Sequence, residues 1–467
     1  MMLFKIAFRN IMRNQRRSLM TGSAVAVGVM AMLVFGGYIA YIFSAFETGL
    51  VQRIGHLTVF RSGYFVFGAG NPAAYGIDDY QSVMRMIAED PVLKPMIRVI
   101  TPTQSLLGIA GNFSGGNNAA KTFLGTGVIP SNQQRMRQWN EYGVAPPEVP
   151  GPRLSDDAPQ RGLIGGGMAR ILGLCPALKM QDCPAPPQTH DTTQAAPVDR
   201  NLTALAQSEI GSGEVKHITM PQLDLLSATA NGAPNVVALD VAGVAVQGVK
   251  ELDDNYVVMP LALAQQLVYG RGEHKATGIV LQLHRSEDLH AARARLRTLI
   301  AQHHLDLEVR DFAELTPFYV QVVRLFSAIF LFIALIMGVI VLFAVVNTMT
   351  MNVMERTNEI GTIRAMGVRR NGIRAQFVTE GWMLGAVAAT VGVVLAFIVD
   401  AAINHSGLTW LPPGNATTVP FRLATPADRP LLLLGTWLGL VLLATFAALL
   451  PANRAARLPV VDALRHV

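Results

Sequence analysis

Two cysteines, Cys175 and Cys183, stand eight positions apart, each followed directly by proline. In an oxidising compartment such a pair reads as a disulfide closing a short loop, with free thiols or a metal site as alternatives. A metal would want more ligands than the neighbouring His190 offers. Other patterns that carry chemistry fail on spacing. Gly115-Gly116 precedes Lys121-Thr122 without a Gly-Lys junction, so the phosphate-cradling G-x-x-x-x-G-K-[ST] loop is missing. Gly111–Gly115 (GNFSG) places its serine one position too late for a nucleophile elbow. There is no H-E-x-x-H, and His303-His304 reads as an exposed helix-end pair. The chain shows no catalytic set of its own, so it is expected either to borrow energy from elsewhere or to need none.

The elements around these residues are dominated by membrane-length runs. Of 467 residues, 51% are hydrophobic and only 15% charged, well below the quarter usual in soluble domains. Uncharged stretches run for 29 residues between Arg17 and Glu47, 30 between Arg324 and Glu355, 19 between Glu380 and Asp400, and 24 from Pro430 to Asn453. A hydrocarbon core of ~30 Å needs about 20 helical residues. Four transmembrane helices are predicted, at 19–46, 317–353 (with a stalk outside the membrane), 377–400 and 430–453. The first run is far longer than a signal-peptide core and reads as an uncleaved anchor. None of the uncharged runs holds an acidic or basic residue for a proton or ion pathway, which a secondary transporter usually shows.

Lys and Arg are retained on the cytoplasmic side of a membrane. Five precede the first span (Lys5, Arg9, Arg13, Arg16, Arg17), five lie between spans two and three, and three follow span four, against two beside each outer end. Both termini are therefore expected in the cytoplasm of a bacterium whose inner membrane the chain crosses. Residues 1–18 are read as an amphipathic surface helix, Lys5, Arg9 and Arg13 recurring every fourth position.

The expected fold is thus an α-helical membrane protein whose large α+β periplasmic domain, residues 47–316, is inserted between helices 1 and 2. Asn235–Gly243 and Thr277–Leu283 alternate as strands, and Leu289–His303 repeats as a helix with Leu289, Ala292, Leu296 and Ile300 on one face. A Pro-rich, aperiodic insert covers about 175–215, and Gly111–Asn118 reads as an exposed turn. A second loop, 401–429, and a tail, 454–467, complete the chain.

The most informative stretch is the cytoplasmic connection 354–376. Its sequence from Met354 to Arg370 places charges on one side of a short helix and Ile360, Ile363 and Met366 on another, ending at Gly367. The pattern E-R-x-x-E-I-G-x-x-R-A-x-G resembles the FtsX-like permease family. So do the opening Ala7-Phe8-Arg9-Asn10 with Arg13 and Arg17, and the closing Pro451–Leu458 with Val461–Arg465. Gly165–Gly173, Val241–Gly243 and Leu252–Leu261 resemble the core domain of MacB-type and lipoprotein-releasing permeases, and the cysteine-bearing insert departs from it after Leu174.

The resemblance implies a non-catalytic permease subunit coupled to a separate cytoplasmic ABC ATPase dimer. Glu355, Arg356, Glu359, Ile360, Gly361, Arg364, Ala365 and Gly367 would transmit ATPase closure to the membrane helices. It implies no cofactor in this chain, since ATP and Mg would be bound by the partner. Further partners would be a second permease copy or paralogue, membrane lipids, and a periplasmic adaptor or lipoprotein, with no nucleic acid. The work performed would be lipoprotein or lipid release, or efflux of a periplasmic substrate. Rival readings are a transmembrane regulator of a periplasmic hydrolase, and a tethered enzyme or adhesin that would leave Glu355–Gly367 unexplained.

Overall fold

Runs too apolar to present a polar face become the four longest helices of the chain: Gln15–Ile54, Pro317–Glu355, Arg370–His405 and Pro430–Arg457. The structure, a computed structural model, describes all residues except 1–6, 8, 11, 14, 69, 114–118, 145–151, 181–219, 246, 248–249, 271–273, 411–418 and 460–467. It divides into two compact units, one of Met1–Glu47, Thr316–Trp410 and Val419–Val467, the other of Thr48–Leu315 with Leu411–Thr418.

In the helix unit, small residues let backbones approach, as membrane helices require where lipid offers no hydrophobic driving force. A Cβ added at Gly381 or Gly385 of the third long helix would stand 2.4 Å from Ala448 or 2.8 Å from Ala444 of the fourth. One added at Gly392 would meet the carbonyl of Ala26 on the first helix at 2.5 Å. The first helix is the most enclosed, with 56% of its most apolar stretch buried, against 11% for the second helix, whose Leu331, Phe332, Leu335 and Phe343 face outward.

The third helix corrects one expectation. It runs from Arg370 to His405, so Glu380 and Asp400 lie inside it, only 2% and 1% exposed. Counting residues between charges stops at these two carboxylates, although the span expected at 377–400 already takes them in. The bundle therefore does bury acidic side chains.

In the other unit, strands β1 (Leu57–Arg61), β2 (Ile97–Asn112), β3 (Ala119–Val128), β4 (Arg161–Ile164), β5 (Gln222–Ala228), β6 (Pro234–Val244), β7 (Tyr256–Pro260), β8 (Gly278–Leu283) and β9 (Leu307–Asp311) form one sheet. Among the described residues its order is β3-β7-β4-β6-β5-β2-β8-β1-β9, parallel at β3–β7 and β4–β6 and antiparallel elsewhere. The sixteen-residue β2 joins two cores: Ile97–Thr103 pairs with β8, and Gln104–Asn112 pairs with β3. One core gathers Phe123, Met168, Leu223, Leu239 and Met259. The other gathers Leu57, Ile279, Leu281 and the helix Leu289–Gln302 through Ala292, Leu296, Leu299 and Ile300.

Gly111 and Asn112 thus end a strand, contrary to the exposed turn expected there; the glycine and asparagine residues carry a turn signal that strand pairing overrides. Residues 114–118 of that stretch, and 181–219 of the Pro-rich insert, lie outside the described residues.

Candidate coupling site

The second long helix ends at Glu355, and Arg356 leaves helical geometry (φ −107°, ψ 16°) before a short helix resumes over Thr357–Ala365. Thr357 Oγ1 donates to the carbonyls of Val353 and Met354 across this break. Gly367 closes the segment at φ +96°, a left-handed conformation that favours glycine. The third long helix then begins at Arg370.

The structure places the eight residues predicted here in two different settings, packed and outward-facing. Ile360 and Gly361 are buried, Ile360 in a cluster with Val353, Ile373, Phe377, Ala452 and Ala455 from the second, third and fourth long helices. Arg364 donates to the carbonyl of Leu458, just past the end of the fourth. Glu355, Glu359, Ala365 and Gly367 face outward. Met366, expected to point inward with Ile360 and Ile363, is 73% exposed. It follows the last helical residue, so the 3.6-residue period no longer applies to it. With Met354 and Val368, also exposed, it adds apolar surface to an otherwise charged face.

Arg356 is only 4% exposed, which removes it from any docking surface. Its Nη1 donates to Glu380 Oε1 at 3.1 Å, and its Nη2 donates to the backbone carbonyl of Asn10 at 3.3 Å. Asn10 Nδ2 donates to the same Glu380 oxygen at 2.5 Å. Arg13 pairs with Glu359 at 2.7 Å, and Arg17 pairs with Glu355. Asn10 and Glu380 were not predicted as site residues. The available signal was the i, i+3, i+7 spacing of Asn10, Arg13 and Arg17, which puts all three on one helix face.

The family-like glycines Gly165–Gly173 serve packing instead. The Asp253 carboxylate accepts from the N–H groups of Gly166 (3.0 Å), Gly167 (2.6 Å) and Gln247 (2.8 Å), and a Cβ at Gly165 would lie 2.0 Å from the Asp253 carbonyl. Cys175 is buried. Cys183 lies outside the described residues, so its pairing with Cys175 stays an expectation.

Residues 324–460 match the family of the FtsX-like permease C-terminal domain. The chain is 30% identical over 135 residues to the macrolide export ATP-binding/permease protein MacB of Escherichia coli, covering 28% of this chain and 21% of that one. It is 28% identical over 214 residues to the pyoverdine export ATP-binding/permease protein PvdT of Pseudomonas syringae pv. tomato, covering 45% and 30%. These alignments span between about a fifth and a third of the length of the curated relatives. Among solved structures, the periplasmic region of MacB from Actinobacillus actinomycetemcomitans aligns with 57% of this chain and 94% of that one, at 13% identity and a TM-score of 0.32. The matched permease segment and the MacB relatives support the resemblance of this chain to FtsX/MacB-type ABC permeases.

Proposed function

We propose that the chain is the membrane subunit of an ABC exporter, and that a separate cytoplasmic ATPase docks on the outward face of residues 354–369. The observation that carries this is the division of labour within the short helix. One side, through Ile360 and Gly361, is packed among the ends of the long helices, and the other presents Met354, Glu355, Glu359, Met366 and Val368. A segment built this way can take a push on one side and deliver it to the helices on the other. Charge asymmetry puts this face and both termini in the cytoplasm, with the sheet unit outside an inner membrane. At 39 residues the second helix is roughly 58 Å long, about twice the hydrocarbon thickness. Its excess length is read as a stalk that carries ATPase closure outward without substrate passing through the bundle. Such transmission needs the ATPase to bind one state of the permease better than the other.

Relatives named for macrolide and pyoverdine export favour efflux of a small molecule from the periplasm over lipoprotein release as the work performed. A detergent pull-down from native membranes, followed by mass spectrometry, tests the assignment. Recovery of a P-loop ATPase is the expected result, and a co-purified adaptor would support efflux. Membranes that yield no ATPase would contradict it and return the signalling reading to first place.

A further inference from the structure

Glu355 and Glu359, the two acidic residues of the segment, already have partners within the chain. Asn10, Arg13 and Arg17 meet Glu380, Glu359 and Glu355 respectively, while Arg356 bridges Glu380 to the Asn10 carbonyl. The pairs differ in what they can hold. Arg13 and Glu359 are 59% and 50% exposed, a setting where an ion pair contributes little. Arg356 and Glu380 are 4% and 2% exposed, and breaking such a pair from one side leaves a charge stranded in a medium that cannot solvate it. Asn10 completes this buried set, using its side chain on the carboxylate and its carbonyl on the guanidinium. The cluster therefore ties together three stretches: the residues just ahead of the first long helix, the break after the second, and the first third of the third.

We propose that Asn10, Arg356 and Glu380, flanked by Arg13–Glu359 and Arg17–Glu355, form a clasp that makes the first long helix, together with Asn10 and Arg13 just ahead of it, a second output of the coupling segment. The inference rests on the coupling reading above and sharpens it. Displacement of the segment reaches the first long helix through Arg17 within it and Asn10 just ahead of it, and the second through the chain. Glu355 and Glu359 act as positioning residues that orient the segment, while ATPase contact falls to Met354, Met366 and Val368.

The test uses the full chain co-purified with its ATPase in lipid nanodiscs. Asn10→Ala removes the side-chain bond from residue 10 to Glu380 and leaves Arg356 paired with Glu380 and with the residue-10 carbonyl. The expected result is wild-type protein level, ATPase recovery within about twofold, and a roughly tenfold loss of the ATPase stimulation given by the wild-type chain, the ratio for one charge-assisted hydrogen bond. In that background, joining Arg13→Cys to Glu359→Cys with a short bismaleimide should restore stimulation, a rescue that a purely structural role would not produce. If Asn10→Ala fails to accumulate, Arg13→Glu with the compensating Glu359→Arg asks the same question at exposed positions, where the double reversal should recover what the single loses. Unchanged stimulation, or a loss that neither the bridge nor the reversal restores, overturns the clasp and leaves the coupling reading standing. A wild-type chain that brings down no ATPase overturns both.

Discussion

Each unit buries an ionisable site, and the two solve the problem in opposite ways. In the helix unit, Arg356 and Glu380 satisfy one another, with Asn10 as third member. In the sheet unit, His56 is fully buried beside the rings of Trp139 and Phe312. Its Nδ1 accepts from the backbone N–H of Leu283 at 3.0 Å, which leaves the proton on Nε2, 3.1 Å from Ser286 Oγ. Burial pushes its pKa down to about 4, so the ring is neutral at physiological pH. A charged pair is vulnerable to losing a partner, and a neutral ring is vulnerable to gaining a proton. The comparison sets a mutually paired cluster in one unit against a single neutral base in the other.

The largest expected effect breaks the pair. Glu380→Leu strands Arg356 and should cost about 3–5 kcal/mol, read as loss of resistance to denaturation in mixed detergent micelles. Adding Arg356→Met should recover most of that stability but not the coupling.

Acid probes the other site. His56 is held below its ordinary value of 6.5, so the unfolded chain takes up the proton first. Its contribution is fully present above pH 6.5 and is lost as pH falls toward 4, by roughly 3 kcal/mol in all. Unfolding of the sheet unit followed between those limits should show this slope, and His56→Gln should flatten it.

Smaller changes sharpen the contrast within the helix unit. Asn10→Ala should cost about 1–2 kcal/mol by the same detergent assay, one hydrogen bond to a charged group. Arg13→Ala should cost no more than about 1 kcal/mol, as its partner Glu359 is half exposed. An Arg13→Ala effect equal to that of Glu380→Leu would break the distinction between an inner cluster and its exposed flanks.

Much of the helix unit was legible in the sequence, because spans of this length have no other stable reading. Strands with clean alternation were legible too: the expected Thr277–Leu283 is β8 at Gly278–Leu283, and Asn235–Gly243 is β6 at Pro234–Val244. β2 was missed because its glycines and Pro102 carry a turn signal that neighbouring strands override. The coupling segment was found by its pattern, but a pattern does not say which way a side chain faces. Arg356 looks like a surface arginine until Glu380, 24 positions on, is seen beside it. Asn10 shares a face with Arg13 and Arg17 in the sequence, but its partners, more than 340 positions away, were hidden for the same reason.

The most direct test of the account places a photo-crosslinking amino acid at Met366, 73% exposed on the coupling segment, or at Leu431, 86% exposed at the far end of the fourth helix. On irradiation in native membranes, Met366 should give an adduct with a P-loop ATPase and Leu431 should not. No ATPase adduct at Met366, or equal adducts at both positions, would contradict the assignment of residues 354–369 as the docking face.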